Sequence, residues 1–195
     1  IDYGVAQLRR RVIFLAIRND IAEKRNINQF NIGHIYPDTC MKPLTLKDVI
    51  GSMTYEEIWN HGEQDWMEEI KNRNSYKKFL PLIDAILEKQ KEHDRFHKFS
   101  SVVEGGKKFF SYYVLSMNAP TPTLTQTGLQ QFNFIHPNGE RPISIQEALR
   151  LMGLPEDYNL TGTINQKYER LGRMVTPPIY QQLCTNIYEK VLRDE

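Results

Sequence analysis

The run VIFLAI, Val12–Ile17, constrains the fold of this chain more than any other stretch. Four of its six residues are β-branched or aromatic, which predicts a buried strand. Just ahead of it, Gln7, Arg9 and Arg11 occupy alternate positions, with Leu8 and Arg10 between them. Alternate side chains of an extended segment share a face, so one amide and two guanidiniums line one side at the mouth of the strand. Leu8, Arg10 and Val12 take the other side. Gly4 permits the turn that leads in. Rigid groups carrying several donors suit a planar or anionic ligand. The plainer alternative is that the arginines flank a strand as soluble, ion-pairing residues.

Composition narrows the classes without choosing among them. A chain of 195 residues holds one or two domains and can bury a real core. Its 40% hydrophobic and 11% aromatic content belongs to a globular chain, not a disordered one. The formal net charge is +1, so any surface for nucleic acid must be local. No apolar run approaches the roughly 20 residues of a membrane span, and no signal peptide is visible. Cys40 and Cys184 are far apart and form no CxxC, so a reducing, cytoplasmic setting is expected.

Local grammar then places the elements. Residues 31–43 read as a turn-rich connector, and Thr45 caps a short helix stopped by Gly51. Thr54–Lys98 is predicted to be mostly helical, with a capping box from Thr54 to Glu57 and Phe79, Ile83, Ile86 and Leu87 on one face. The charged run Glu88–Lys98 reads as a solvated face. His93 and His97 stand four apart without a third ligand, so no metal site is expected. From Ser101 onward, short strands joined by polar loops are predicted. Lys107 and Lys108 suit phosphates there. Thr121, Thr123, Thr125, Gln126, Thr127 and Gln130 offer hydroxyls and amides for base edges, although an ordinary Thr-rich strand reads similarly. Ser144–Glu147 is a further capping box, opening a helix with Ala148, Leu149, Leu151 and Met152 that Gly153 ends. Gly172 is expected in a short loop, and Pro177 and Pro178 open a last helix. Ile179, Leu183, Ile187 and Val191 form the apolar stripe of that helix.

Three segments, in order, resemble motifs of the DNA cytosine-5 methyltransferases. DYGVAQLRRRVIFLAIRND resembles the eighth motif, Gly-Val/Ile-Pro-Gln-x-Arg-x-Arg before a strand. RPISIQEALRLMGLPEDYNL resembles the ninth, with Arg141 to Glu147 matching Arg-Pro-Leu-(Ser/Thr)-x-x-Glu. KYERLGRMVTPPIYQQL is similar to the tenth, Gly-Asn-(Ala/Ser)-Val-Pro-Pro. The resemblance covers roughly residues 1–50 and 115–195. Ala6 replaces the usual proline, a mild change that only loosens the backbone. Arg173 stands where the family has asparagine. The family's Phe-x-Gly-x-Gly loop, Pro-Cys nucleophile and Glu-Asn-Val motif do not occur, and neither Cys40 nor Cys184 lies in a nucleophile motif.

The resemblance therefore implies the C-terminal portion of such an enzyme. Its fold class would be α/β, a partial S-adenosylmethionine-dependent methyltransferase Rossmann-like domain carrying an inserted α+β target-recognition domain. Residues 1–20 and 140–195 would be the catalytic pieces, and 21–139 the target-recognition domain, with the helical segment 54–98. Among site residues it implies Arg11 against the O2 edge of a flipped cytosine, with Gln7 and Arg9 ordering the neighbouring loop. Gly172, Arg173, Met174 and Val175 would touch S-adenosylmethionine in the complete enzyme. Implied partners are double-stranded DNA, a separate N-terminal catalytic half and, in a restriction-modification setting, a cognate restriction endonuclease. Sequence choice would sit in loops Glu104–Phe109 and Thr121–Gln131, and this chain alone would be inactive. The alternatives are a non-catalytic DNA-binding module derived from such an enzyme, and a helical protein-interaction module over Tyr55–Lys98.

Overall fold

The computed structural model describes residues 3–39, 44–59, 63–72, 77, 96–102 and 108–193. Phe79–Glu92, His93, Cys40, and residues 104–107 with Lys107 lie outside the described residues, and so do the expectations placed on them. The described helices are α1 (Asn19–Lys24), α2 (Leu46–Ile50), α3 (Tyr55–Ile58), α4 (Glu63–Asn72), α5 (Gln126–Gln130), α6 (Ile145–Leu151), α7 (Ile164–Arg173) and α8 (Pro177–Ile187). A 3-10 turn covers Ile32–Ile35, and a π-helical turn, Tyr188–Leu192, extends α8. The strands are β1 (His97–Val102), β2 (Lys108–Val114) and β3 (Phe134–Ile135).

Capping chemistry sets most of these boundaries. Thr45, Thr54, Ser144 and Thr163 each accept a hydrogen bond from the backbone N–H three residues on. The side chains of Asp48, Glu57, Glu147 and Gln166 return the bond to the cap residue's own N–H. Two orphan donors are satisfied at each start, so short helices hold their position before packing adds anything. Gly153, at φ +74, ends α6 in the left-handed conformation as expected.

The sheet has the order β1-β2-β3. β1 and β2 are antiparallel, with an irregular register between Ser100 and Val102, and β2 runs parallel to β3 through Tyr113–Phe134 and Val114–Ile135. One continuous core joins Ala6, Leu46 and Ile50 of α2, Met67 and Ile70 of α4, Val114 and Leu115, and Phe134 and Ile135 with the α6–α7 residues Ala148, Leu149, Leu151, Tyr168 and Leu171. A smaller cluster of Ile27, Ile35 and Val191 packs against Leu15, Ile17, Ile21 and Ile187. Among the described residues, no helix is long and apolar enough to cross a membrane.

Four expectations change. Val12–Ile17 forms no ladder with any described strand. Ile13, Leu15 and Ile17 are half-buried on one side, while Val12 and Phe14 are 77% and 92% exposed on the other. A strand's backbone groups need a neighbouring strand, and no described residue supplies one there. His97 and Lys98, expected in the helical segment, belong to β1, because β2 pairs with them at Val114 and Tyr113. Gln126–Gln130, expected within strand-and-loop structure, is helix α5, started by Thr125 accepting from the Gly128 N–H at 3.2 Å. Gly172 lies in the last turn of α7 rather than in a loop, at a position where the helix backbone meets α5.

Candidate nucleic-acid cleft

The eighth-motif segment is anchored by backbone pairing. The Leu8 N–H donates to the Thr121 carbonyl at 2.7 Å, and the Thr121 N–H donates to the Ala6 carbonyl at 2.8 Å, a parallel bridge that brings the 121–124 segment alongside it. Thr123 adds its hydroxyl, donated to the Leu8 carbonyl at 2.6 Å. The expected alternation of faces holds from Gln7 to Arg10, and Arg11 departs from it by being exposed. Gln7 is fully buried, Arg9 half-buried and Leu8 and Arg10 exposed.

Gln7 and Arg9 sit at the join of three parts of the chain. The Gln7 amide points at Met152 Sδ, 3.1 Å away beyond the end of α6. Arg9 donates to the Met174 carbonyl at 2.8 Å, the Leu124 carbonyl at 3.3 Å and the Gln7 side-chain oxygen at 3.4 Å. Its Nε is buried without a partner. No carboxylate pairs with Arg9 among the described residues. Burial, and then the charge of Arg11, lower the Arg9 pKa from its ordinary value. Arg11 is exposed, and among the described residues its guanidinium reaches only the Arg10 carbonyl, at 2.7 Å.

These residues line a cleft of about 900 Å³, to which Leu8 and Arg10 contribute as well as Gln7, Arg9 and Arg11, together with Thr123, Val175 and Thr176. Tyr3, Val5, Tyr36, Ile179 and Tyr180 supply its apolar wall. A cationic edge meeting aromatic and aliphatic walls can hold a planar group by its face and a partial negative charge by its edge. Thr121, expected to face DNA, is fully buried and serves the seam instead. Thr125 and Thr127 are exposed, while Gln126 is half-buried. Lys108 opens β2.

The four residues expected at a cofactor are dispersed. A Cβ at Gly172 would overlap the backbone of Thr125 and Gln126, so that glycine serves close helix–helix approach. Arg173 pairs with Glu169 and Gln126, both at 2.8 Å. The Met174 side chain packs on the main core, and Val175 alone reaches the cleft wall.

A second charged cluster joins the two ends of the ninth-motif match, Arg141 and Glu147, a pairing the sequence reading did not assign. Arg141 grips Glu147 bidentately, with both nitrogen–oxygen distances 2.7 Å, and its guanidinium lies 5.3 Å from the centre of the Trp59 ring. Glu147 is 1% exposed and also accepts from the Ser144 N–H at 2.7 Å. Burial raises its pKa, but the hydrogen bonds and charge of Arg141, then His136 and the Ser144 N–H, outweigh burial and hold the carboxyl below its usual range. His136 Nε2 lies 3.6 Å from Glu147. Burial, the largest influence, pushes the His136 pKa down; Glu147 opposes this. The sequence signal available was the Arg-x5-Glu spacing around a capping box, which only the fold turns into a pair.

Beside its core the fold presents a cationic, partly aromatic cleft that has no counter-charge among the described residues. The chain belongs to the C-5 cytosine-specific DNA methylase family, whose model matches residues 1–189. The chain is 27% identical to the Type II methyltransferase M.Eco47II of Escherichia coli over 90% of its length, and 24% identical to the Type II methyltransferase M.Sau96I of Staphylococcus aureus over 89%. A 49-residue stretch is 45% identical to the DNA (cytosine-5)-methyltransferase CMT3 of Arabidopsis thaliana, covering 25% of this chain and 6% of that protein. The chain spans about 40% of the length of the first of these relatives and 38% of the second.

Proposed function

We propose that this chain is the DNA-reading and base-holding part of a DNA cytosine-5 methyltransferase. The observation that carries this reading is the cleft, where Arg9, Arg11, Thr123 and Val175 converge without a carboxylate partner among the described residues. Arg11 faces a cytosine turned out of the duplex and stabilises negative charge developing toward its O2 edge. Its exposed guanidinium, held among the described residues only by a neighbouring carbonyl, can turn to meet the base. Arg9 and Gln7 hold that arm in register through Met174, Leu124 and Met152. Val5, Ile179 and Tyr180 limit water around the base.

S-adenosylmethionine, when bound in the complete protein, supplies the methyl group. The attacking thiolate and the carboxylate for the N3 edge come from residues outside this chain, since no Pro-Cys or Glu-Asn-Val sequence occurs in it. Sequence choice lies in Thr123, Thr125 and Thr127 and in residues 104–109, the last two of which, Lys108 and Phe109, open strand β2; Thr121 is withdrawn from this set by burial. Residues 21–139 act as the reading part, and 1–20 with 140–195 as pieces of the catalytic part.

Tritiated-methyl incorporation into duplex DNA tests the reading. A longer protein that joins this chain to a half carrying the Pro-Cys motif transfers methyl groups, and this chain alone transfers none. Activity from the chain alone would overturn the division of labour. Duplex binding by the complete protein with no methyl transfer would instead favour a non-catalytic DNA-binding module.

A further inference from the structure

The resemblance would place Arg173 at a cofactor, and in the structure its guanidinium bridges Gln126 and Glu169. It donates through Nε to the Gln126 side-chain oxygen at 2.8 Å, and its Nη2 lies 2.8 Å from Glu169, one turn back on α7. The amide of Gln126 passes the connection on, donating to the Gln130 side-chain oxygen at 3.3 Å. The Gln130 amide then donates to the Asn165 carbonyl, also at 3.3 Å, in the first turn of α7. The polar chain thus leaves α7 at its last residue, runs along α5 and returns to α7 near its start.

Two independent contacts reinforce the same join. Gly172 brings the α7 backbone against Thr125 and Gln126 with no room for a side chain. Arg9 ties the Leu124 carbonyl to the Met174 carbonyl just beyond α7. The segment Leu124–Gln130 is therefore fastened to residues 165–174 at both ends and in the middle. Thr125 and Thr127 remain exposed residues, Thr125 with its hydroxyl capping α5.

We propose that Arg173 and Gln126 form a positioning pair that registers the α5 loop, and with it the choice of DNA sequence, to the tenth-motif helix α7. The pair rests on the functional reading above and deepens it. Gln126, which the sequence offers as a reader of base edges, has both ends of its amide engaged inside the protein. It acts through Thr125 and Thr127 on either side. Arg173 in place of asparagine is explained by its reach: a guanidinium on its longer stem spans the join to Gln126 while still pairing with Glu169. An exposed ion pair contributes little to stability by itself, so the consequence of the pair is geometric rather than energetic.

Bisulfite sequencing of DNA from cells expressing the full-length protein first maps the methylated site. Arg173→Met and Gln126→Leu each remove one side of the pair while keeping much of its bulk. Each is expected to raise methylation at sites one base pair away from the mapped site by about fivefold relative to it, a shift on the scale of one polar coupling. The double variant should match the single ones, because all three lose the same bond. The KM for DNA should rise in each purified variant while the KM for S-adenosylmethionine stays. Unchanged discrimination, or additive effects in the double variant, would overturn the pair. A rise confined to the KM for S-adenosylmethionine would return Arg173 to the cofactor. If the wild-type protein gives no methylation, the functional reading itself has failed. The pair is then judged by competition between duplexes differing by one base pair, where equal ratios in wild type and variants would overturn it.

Discussion

Arg9 is half-buried and Arg141 is largely withdrawn from solvent, and their surroundings differ in one decisive respect. Arg141 meets a buried carboxylate through two 2.7 Å contacts and lies on the Trp59 ring. Arg9 meets only neutral oxygens, keeps one buried N–H without a partner and sits beside the like charge of Arg11. A charge removed from water is costly unless it is paired. In the Arg141 region the cost is answered within the chain, and the result is a fastener between β3, the loop after it and α6. In the Arg9 region it is answered only in part, which leaves positive potential directed into a cleft. The difference teaches where to look for function: at the guanidinium that the fold orders without neutralising.

The largest test of this contrast is removal of the neutralising partner. Glu147→Ala strands the Arg141 charge and removes an N-cap return bond, and it should cost about 3–5 kcal/mol of unfolding free energy in urea titrations. A loss below about 1 kcal/mol would show that Arg141 is solvated well enough to need no partner. Next in size is Arg11→Ala in the full-length protein. The methylation rate should fall roughly a hundredfold or more, with a smaller loss of duplex affinity, as for removal of one electrostatic donor. Near-normal turnover would take Arg11 out of the reaction.

A smaller effect separates the two regions by salt dependence. Arg9→Met should reduce the slope of log affinity for duplex DNA against log salt by about one contact. The double replacement Arg141→Met with Glu147→Leu should leave that slope unchanged, since it removes a neutral pair. Equal slopes for both would erase the contrast.

The smallest effect is the pH dependence of stability. His136 has its pKa lowered by burial from the ordinary 6.5, so the unfolded chain takes up that proton first, and stability falls as pH drops below 6.5. The Glu147 pKa is also lowered, from 4.5, so a second loss begins below that value and continues until the folded carboxyl is itself protonated. Urea midpoints between pH 8 and pH 3 should show both limbs, and Glu147→Gln should flatten the lower one. A midpoint insensitive to pH below 4.5 would mean that Glu147 contributes no linked stability.

Short-range chemistry was legible in the residues themselves. Thr45, Thr54 and Ser144 each carry their reciprocal acid three positions on, and the helices begin there because both halves of a capping box lie within one turn of chain. The alternation of Gln7 and Arg9 with Leu8 and Arg10 was equally local, since side-chain period follows from extended backbone alone, but it stops short of Arg11, which is exposed like its neighbours. The family was legible too, from three motifs whose order survives any folding.

What only the tertiary structure decided depends on partners distant in the chain. Whether Val12–Ile17 joins a sheet turns on a neighbouring strand, and no local propensity supplies one. Gly172 looks like a loop residue until α5 is seen against it, because the need for glycine there comes from the backbone of Gln126, 46 positions away. Thr121 and Thr125 are the same residue in the same polar stretch. One is buried by pairing with the eighth-motif segment and the other caps a helix facing solvent. Arg9 and Arg141 cannot be told apart by type or net charge. Their roles separate only when folding brings Glu147 to one and leaves the other among carbonyls, because an electrostatic role is set by what stands within a few ångströms.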